Sequence, residues 1–149
     1  MIELSKATIE DADVLLEIEK TTKGLGVYSG YYTQEEIIDW IKTEVVFLIQ
    51  KDGVVAGSIS YEIKDQNHVY ISGLVVKPEF QKMGIARAAM NLLADRFKNV
   101  EKFSLVVHPD NHAVKLYESL GFKKDSVVEN YFGDGEPRLI MIKNTSKIT

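Results

Sequence analysis

The sequence of 149 residues has no cysteine. Disulfides, thiolate metal sites and a cysteine acyl-enzyme intermediate are therefore excluded. Long apolar runs are also missing, since none approaches the roughly 20 residues that cross a bilayer, so no membrane partner is expected. The stretch from Met1 to Asp13 carries acids and no long apolar segment. No secretory signal is visible in it, and a cytoplasmic location is the default. Positive charge is not in excess: 18 Lys and Arg face 22 Asp and Glu, a net charge of −4. That argues against nucleic acid, whose phosphates usually demand a basic face. Histidine is scarce, at three residues. His108 and His112 lie four apart, but Pro109 interrupts any helix and the glutamate of an HExxH zinc motif is missing, so no metal is expected.

What remains is a globular composition, 45% hydrophobic and 27% charged. That suffices for a core in one domain spanning 1–149, with 144–149 as a short tail. Ile2 to Ala7 reads as an opening strand. Thr8 with Asp11, and Thr33 with Glu36, have capping-box spacing and open two amphipathic helices. "VVFLIQK" and "VVAGSISYEIK" flank Asp52-Gly53, a strong hairpin signal. "HVYISGLVV" follows a second turn at Asp65 to Asn67. A third helix starts at Gly84 and carries Ile85, Ala88, Ala89, Leu92, Leu93 and Phe97 as an apolar stripe. "KFSLVV" is a short buried strand, and Asn111 to Leu120 is a helix ended by Gly121. "FKKDSVVENYF" and "PRLIMIK" close the chain as a hairpin around Gly133 to Gly135. The expected class is α/β (α+β), in the order β-α-α-β-β-β-α-β-α-β-β, with a mixed sheet and helices on both faces.

The segment from Gly73 to Phe97 raises the functional question. A strand ending just before a helix presents free N–H groups and the positive end of a helix dipole, a place for an anion and above all phosphate. Small residues at Gly84 and Ala86 allow close approach, and Lys82 and Arg87 add positive charge. Gly84 as a plain turn and Ala86 as a helix–sheet contact is the competing explanation. GxGxxG is absent, and so is the phosphate loop GxxxxGKS or GxxxxGKT.

Gln81-Lys82-Met83-Gly84-Ile85-Ala86 matches Gln/Arg-x-x-Gly-x-Gly/Ala, and the chain resembles the GNAT superfamily of N-acetyltransferases at this acetyl-CoA signature. "LVVKP" resembles that family's V-x-P strand end, and "NHAVKLYESLGF" its N-x-x-A-x-x-L-Y-x-x-x-G-F segment. The order of elements is also similar. The resemblance implies a mostly antiparallel sheet of about seven strands flanked by four helices, with acetyl-CoA as acyl donor. It implies that Leu74, Val75 and Val76 offer backbone groups to pantetheine, the Val76 N–H serving the oxyanion. Gln81, Lys82, Met83, Gly84, Ile85, Ala86 and Arg87 would wrap the pyrophosphate. Tyr117 matches the tyrosine that protonates the departing thiolate, although the stripe Ala113, Leu116, Tyr117 and Leu120 equally suits a core position. The family's asparagine stands seven residues before that tyrosine; Asn111 stands six before, and Asp110 has the spacing.

Relatives that acetylate ribosomal-protein N-termini carry a glutamate where this chain has Val106. His108, of the same strand parity and with an ordinary pKa near 6.5, is one alternative base. Tyr70 and Ser72, ordering water, are others. Tyr131 resembles a tyrosine of protein N-terminal acetyltransferases, and Tyr28, Tyr31 and Tyr32 are candidates for the same acceptor wall. The expected activity is direct acetyl transfer to a primary amine, on a protein N-terminus or a small molecule. A non-catalytic acyl-CoA-binding module and a nucleotide-binding protein are the rivals. Final strands that pair between subunits make a homodimer a further expectation.

Overall fold

Local chemistry sets the course of the chain. The Thr8 N–H donates to the Asp11 carboxylate at 2.9 Å before α1, Ala12–Lys20. The Thr33 hydroxyl accepts the Glu36 N–H at 3.2 Å, and the Glu36 carboxylate accepts the Thr33 N–H at 3.2 Å, opening α2 at Gln34–Thr43. Asp52 and Gly53 both have positive φ, 51° and 83°, as a tight turn between twisted strands requires. They join β2, Val45–Lys51, to β3, Val54–Asp65. Asn67 donates its N–H to the Asp65 side chain at 2.8 Å, turning the chain into β4, His68–Val76.

The structure, a computed structural model, describes residues 1–145. The remaining elements are β1 at Ile2–Lys6, α3 at Ile85–Asp95, β5 at Lys102–Val107, α4 at Ala113–Ser119, β6 at Lys123–Val128 and β7 at Arg138–Asn144. The seven strands lie in the order β1-β2-β3-β4-β5-β7-β6. Every pairing is antiparallel except β4 with β5. Fold class and element order agree with the sequence reading. Asn144, expected in the tail at 144–149, still pairs with Lys102 in the sheet; residues 146–149 lie outside the described ones.

Two apolar layers sandwich the sheet. Leu15 and Ile18 of α1 and Ile37 and Trp40 of α2 pack with Val46 and Leu48 on one face. Ile85, Ala89 and Leu93 of α3 and Val114 and Tyr117 of α4 pack with Ile59, Val69, Phe103 and Leu105 on the other. Each fully buried aliphatic side chain contributes about 1.5–3 kcal/mol, so both helix pairs are held by their apolar stripes. Among the described residues no helix is long and apolar enough to cross a membrane.

Most boundaries fall within a residue or two of the sequence reading, and two of the shifts have clear side-chain causes. α4 starts at Ala113, because the Asn111 side chain accepts the Ala113 N–H at 2.9 Å and the Asn111 N–H is spent on the His108 carbonyl at 3.0 Å. β6 ends at Val128 and does not reach Phe132. Asn130 takes φ 53° and its side chain accepts the Gly135 N–H at 2.6 Å, which coils 129–137 into a loop.

Candidate active site

The parallel pairing of β4 and β5 runs only from His68 opposite Lys102 to Ile71 opposite Leu105. Beyond it, β4 stays with β3 and β5 with β7, and the sheet opens as a wedge. Ser72 is the cause. On β3, Ser60 opposes Gly73 and the next residue, Tyr61, opposes Ile71, so Ser72 is an extra residue in β4. Such a bulge bends its strand away from a flat ladder. Backbone groups alternate between the two edges of a strand. The Lys77 N–H donates to the Ala56 carbonyl on the β3 side at 2.8 Å, so the N–H groups of Leu74 and Val76 face the wedge. The Val76 carbonyl accepts the Gln81 side-chain amide there at 3.0 Å.

On the α3/α4 face the wedge continues into a groove of about 420 Å³. Lys82 and Gly84, at φ 64° and 76°, curl the loop so that its N–H groups converge on the start of α3. A Cβ added to Gly84 would meet no heavy atom within 4 Å. The glycine is therefore demanded by its backbone conformation and not by crowding within the protein. Leu74, Val76, Gln81, Lys82, Gly84, Ile85, Ala86 and Arg87 all line this groove. Met83 is 56% exposed and outside the lining, so only its backbone belongs to the loop. Arg87 donates to the Ser119 hydroxyl at 2.8 Å, tying α3 to α4. His112 and Phe80, neither of them expected at this groove, add to its walls.

On the α1/α2 face lies a second cavity of about 360 Å³. Tyr28, Leu74, Asn111 and Tyr117 belong to both spaces and mark their junction. Asp110 is exposed and lines neither, so Asn111 is the residue brought to the site. Tyr117 is only 7% exposed. Its hydroxyl has no hydrogen-bond partner among the described residues, although every fully enclosed side-chain N or O atom there has one, so the oxygen opens into the junction. Burial pushes its pKa up, with Tyr28 adding to the effect, so the proton is kept across neutral pH.

Of the four tyrosines expected at the acceptor wall, two line this cavity. Tyr28 and Tyr31 do, and Tyr31 packs on Trp40 with ring centroids 5.0 Å apart; burial, then Glu44 and other acids, push the Tyr31 hydroxyl up to about 12. Tyr32 does not, because its hydroxyl is held 2.9 Å from that of Thr22. Tyr131 is 41% exposed and meets Phe132 edge-on with ring centroids 4.8 Å apart, and Phe132 supplies the ring to the wall. Phe132 is in turn held by the Arg138 guanidinium, 5.1 Å above its ring and 2.9 Å from the Asp134 carboxylate.

His108 stands one residue past β5 and, like Val106, lines the same cavity. Its Nδ1 accepts the Asp110 N–H at 3.0 Å, which leaves Nε2 as the N–H that donates to Glu136 at 2.8 Å. Tyr70 and Ser72 are lining residues too, and burial pushes the Tyr70 hydroxyl up. Three carboxylates that sequence patterns did not reveal join them: Glu19, Glu44 and Glu62. Nothing in their local spacing sets them apart; only the folded sheet gathers them. Among the described residues no group of three or more potential ligands is placed to hold a metal.

Glu19 is 5% exposed, and burial pushes its carboxyl from the ordinary 4.5 to about 7, against the opposing hydrogen bond from the Tyr31 N–H. The folded state thus binds this proton more tightly than the unfolded one. Its contribution to stability is whole below about pH 4.5 and is lost as pH rises through about 7, a difference of about 3 kcal/mol. Glu19→Gln is expected to raise the melting temperature at pH 8 and leave it nearly unchanged at pH 4. Thermal unfolding in the two buffers checks this.

A loop shaped for an anion, meeting a second cavity through an opening in the sheet, is the architecture of a two-substrate transferase. The family model for the acetyltransferase (GNAT) family matches residues 13–122. The chain belongs to the GNAT family. It is 24% identical over 153 aligned positions to the N-alpha-acetyltransferase of Saccharolobus solfataricus, covering 94% of this chain and 91% of that one. A Bacillus subtilis protein, YqkA, is 37% identical over 81 residues, which are 54% of this chain and only 23% of YqkA. The fold is similar to the crystal structure of the ribosomal-protein-S18-alanine N-acetyltransferase of Escherichia coli, with a TM-score of 0.81, 22% identity, and 100% and 97% of the two chains covered. It is also similar to the PaiA N-acetyltransferase of Thermoplasma acidophilum in complex with coenzyme A, at a TM-score of 0.75, 23% identity, and 97% and 99% coverage.

Proposed function

We propose that this protein transfers the acetyl group of acetyl-CoA directly to a primary amine, a protein N-terminus being the favoured acceptor. One observation carries the reading: the bulge at Ser72 opens the sheet so that the loop groove and the aromatic cavity meet at Leu74 and Tyr117. The pyrophosphate sits on the N–H groups of the Gln81 to Arg87 loop, at the positive end of α3. Pantetheine lies along the free edge of β4, meeting the backbone of Val76 and Leu74; the Val75 backbone groups, also expected there, face β3. The thioester then reaches the junction, where the wedge-facing N–H of Leu74, in place of the Val76 N–H first expected, stabilises the oxyanion. Tyr117 donates its hydroxyl hydrogen to the departing sulfur, a thiol of ordinary pKa near 8.5. Asn111 holds the start of α4 and with it the tyrosine. No cysteine is available for a two-step route.

The acceptor enters between the 129–137 loop and the Tyr28–Tyr31 segment. The name of the Saccharolobus relative supports a protein N-terminus as acceptor, and the coenzyme A complex of a structural neighbour supports the donor. The apolar Val106 and the fully engaged His108 ring favour the second reading, a cofactor-binding module without turnover. Thiol release from acetyl-CoA, measured over a panel of peptides and small amines, separates the two. Turnover with at least one N-terminal peptide is the expected result. Cofactor binding without turnover on any acceptor would establish the module.

A further inference from the structure

Glu44 ends α2 and lies against the bulge that opens the sheet. Its Oε1 accepts two hydrogen bonds, from the Trp40 indole N–H at 3.1 Å and from the Ser72 hydroxyl. The Ser72 hydroxyl is itself 2.9 Å from that of the fully buried Ser60, so the carboxylate is fixed from two sides. Oε2 has no hydrogen-bond partner among the described residues and is not enclosed, and Glu44 is one of the residues lining the cavity. Two residues further along β4 is Leu74, where that cavity meets the donor groove.

Resting on the acetyltransferase reading, we propose that Glu44 is the general base, taking the proton that the acceptor ammonium must lose. The Glu44 carboxylate accepts one proton from R–NH3⁺. The freed nitrogen pair forms the C–N bond at the thioester carbonyl and the C–S bond breaks. The proton still on the new amide nitrogen reaches the sulfur through the Tyr117 hydroxyl. Glu44 then returns its own proton to solvent through the cavity mouth.

The other candidates are less suited. His108 has both nitrogens engaged, Val106 is apolar, and the Tyr70 hydroxyl holds its proton. The groups facing Glu44 are Glu62 and Lys64 of β3, Tyr70 of β4 and Tyr31 of the loop before α2. Burial raises the proton affinity of Glu44, the Ser72 bond opposes this, and Glu62 adds to it. The carboxylate is thereby a stronger base than an exposed one.

The test is steady-state kinetics with acetyl-CoA and the best amine of the panel, from low to high pH. Glu44→Gln keeps both acceptor bonds and removes the charge. It is expected to lower kcat about 100-fold, with KM for acetyl-CoA within about twofold of the parent, and to abolish the acidic limb of the kcat profile. Glu44→Asp should keep the limb with partial activity. Ser72→Ala removes a bond that holds the Glu44 pKa down, so it should move the limb to higher pH, a change that a merely structural role would not produce. Turnover and limb unchanged in Glu44→Gln, or an unmoved limb in Ser72→Ala, would overturn the proposal alone. A parent inactive on every amine would overturn it together with the reading on which it rests.

Discussion

Replacing Tyr117 with Phe is expected to lower kcat about 100-fold, within the range for loss of a positioned proton donor, and to leave coenzyme A affinity nearly intact. The expectation follows from three features of the residue. It is 7% exposed and packs edge-on against Phe122 at 6.0 Å, so the ring is held by contacts that Phe can reproduce. Its hydroxyl makes no hydrogen bond within the described residues and opens where the two cavities meet, so removing it strands no buried partner. Burial keeps the group protonated, the form a donor needs. Loss of kcat with an unaltered melting temperature would place the defect in chemistry. Unaltered turnover would remove Tyr117 from the mechanism and leave it as a core aromatic.

Gly84→Glu should weaken coenzyme A binding about 100-fold or more. Two unit charges 4 Å apart repel by about 4 kcal/mol at the effective dielectric near a protein surface, more than two factors of ten in affinity. The new carboxylate would project into open groove, because no heavy atom lies within 4 Å of a Cβ at this position. A separate effect on the fold comes from φ 76°, a conformation costing a side-chain-bearing residue about 1–2 kcal/mol. Gly84→Ala carries that strain without the charge and serves as the control. KM for acetyl-CoA and the rise in melting temperature with coenzyme A, measured for both variants, separate strain from repulsion. A folded Gly84→Glu protein with undiminished affinity would move the phosphates away from this loop.

Much of the fold was legible because the signals that specify it are local. The Thr33–Glu36 box, the Asp52-Gly53 turn and the stripe Ile85, Ala89, Leu93 each act over a few residues, and each element they imply is present. Two of the boundaries that shifted have side-chain causes. The Asn111 side-chain oxygen accepts the Ala113 N–H at the start of α4, and the Asn130 side-chain oxygen bends the last loop by accepting the Gly135 N–H. The groove at the Gln81 to Arg87 loop was readable for the same reason, since a loop followed by a helix N-terminus is contiguous in sequence. The cavity on the α1/α2 face was not. Glu19, Glu44, Glu62 and Phe132 come from α1, the end of α2, β3 and the 129–137 loop, and only the sheet brings them together. The bulge at Ser72 has one local signal, Gly73 inside the β4 pattern, but its effect is a register event between β3 and β4 that the pattern alone does not show.

The account depends on the opening between β4 and β5 holding acetyl-CoA. The most direct test is isothermal titration of the purified protein with acetyl-CoA, with ATP and a dinucleotide as comparisons. Saturable one-to-one binding of acetyl-CoA, competed by free coenzyme A and tighter than either nucleotide, is the predicted result. No heat with either form of the coenzyme on folded protein, or tighter binding of a nucleotide, would contradict it.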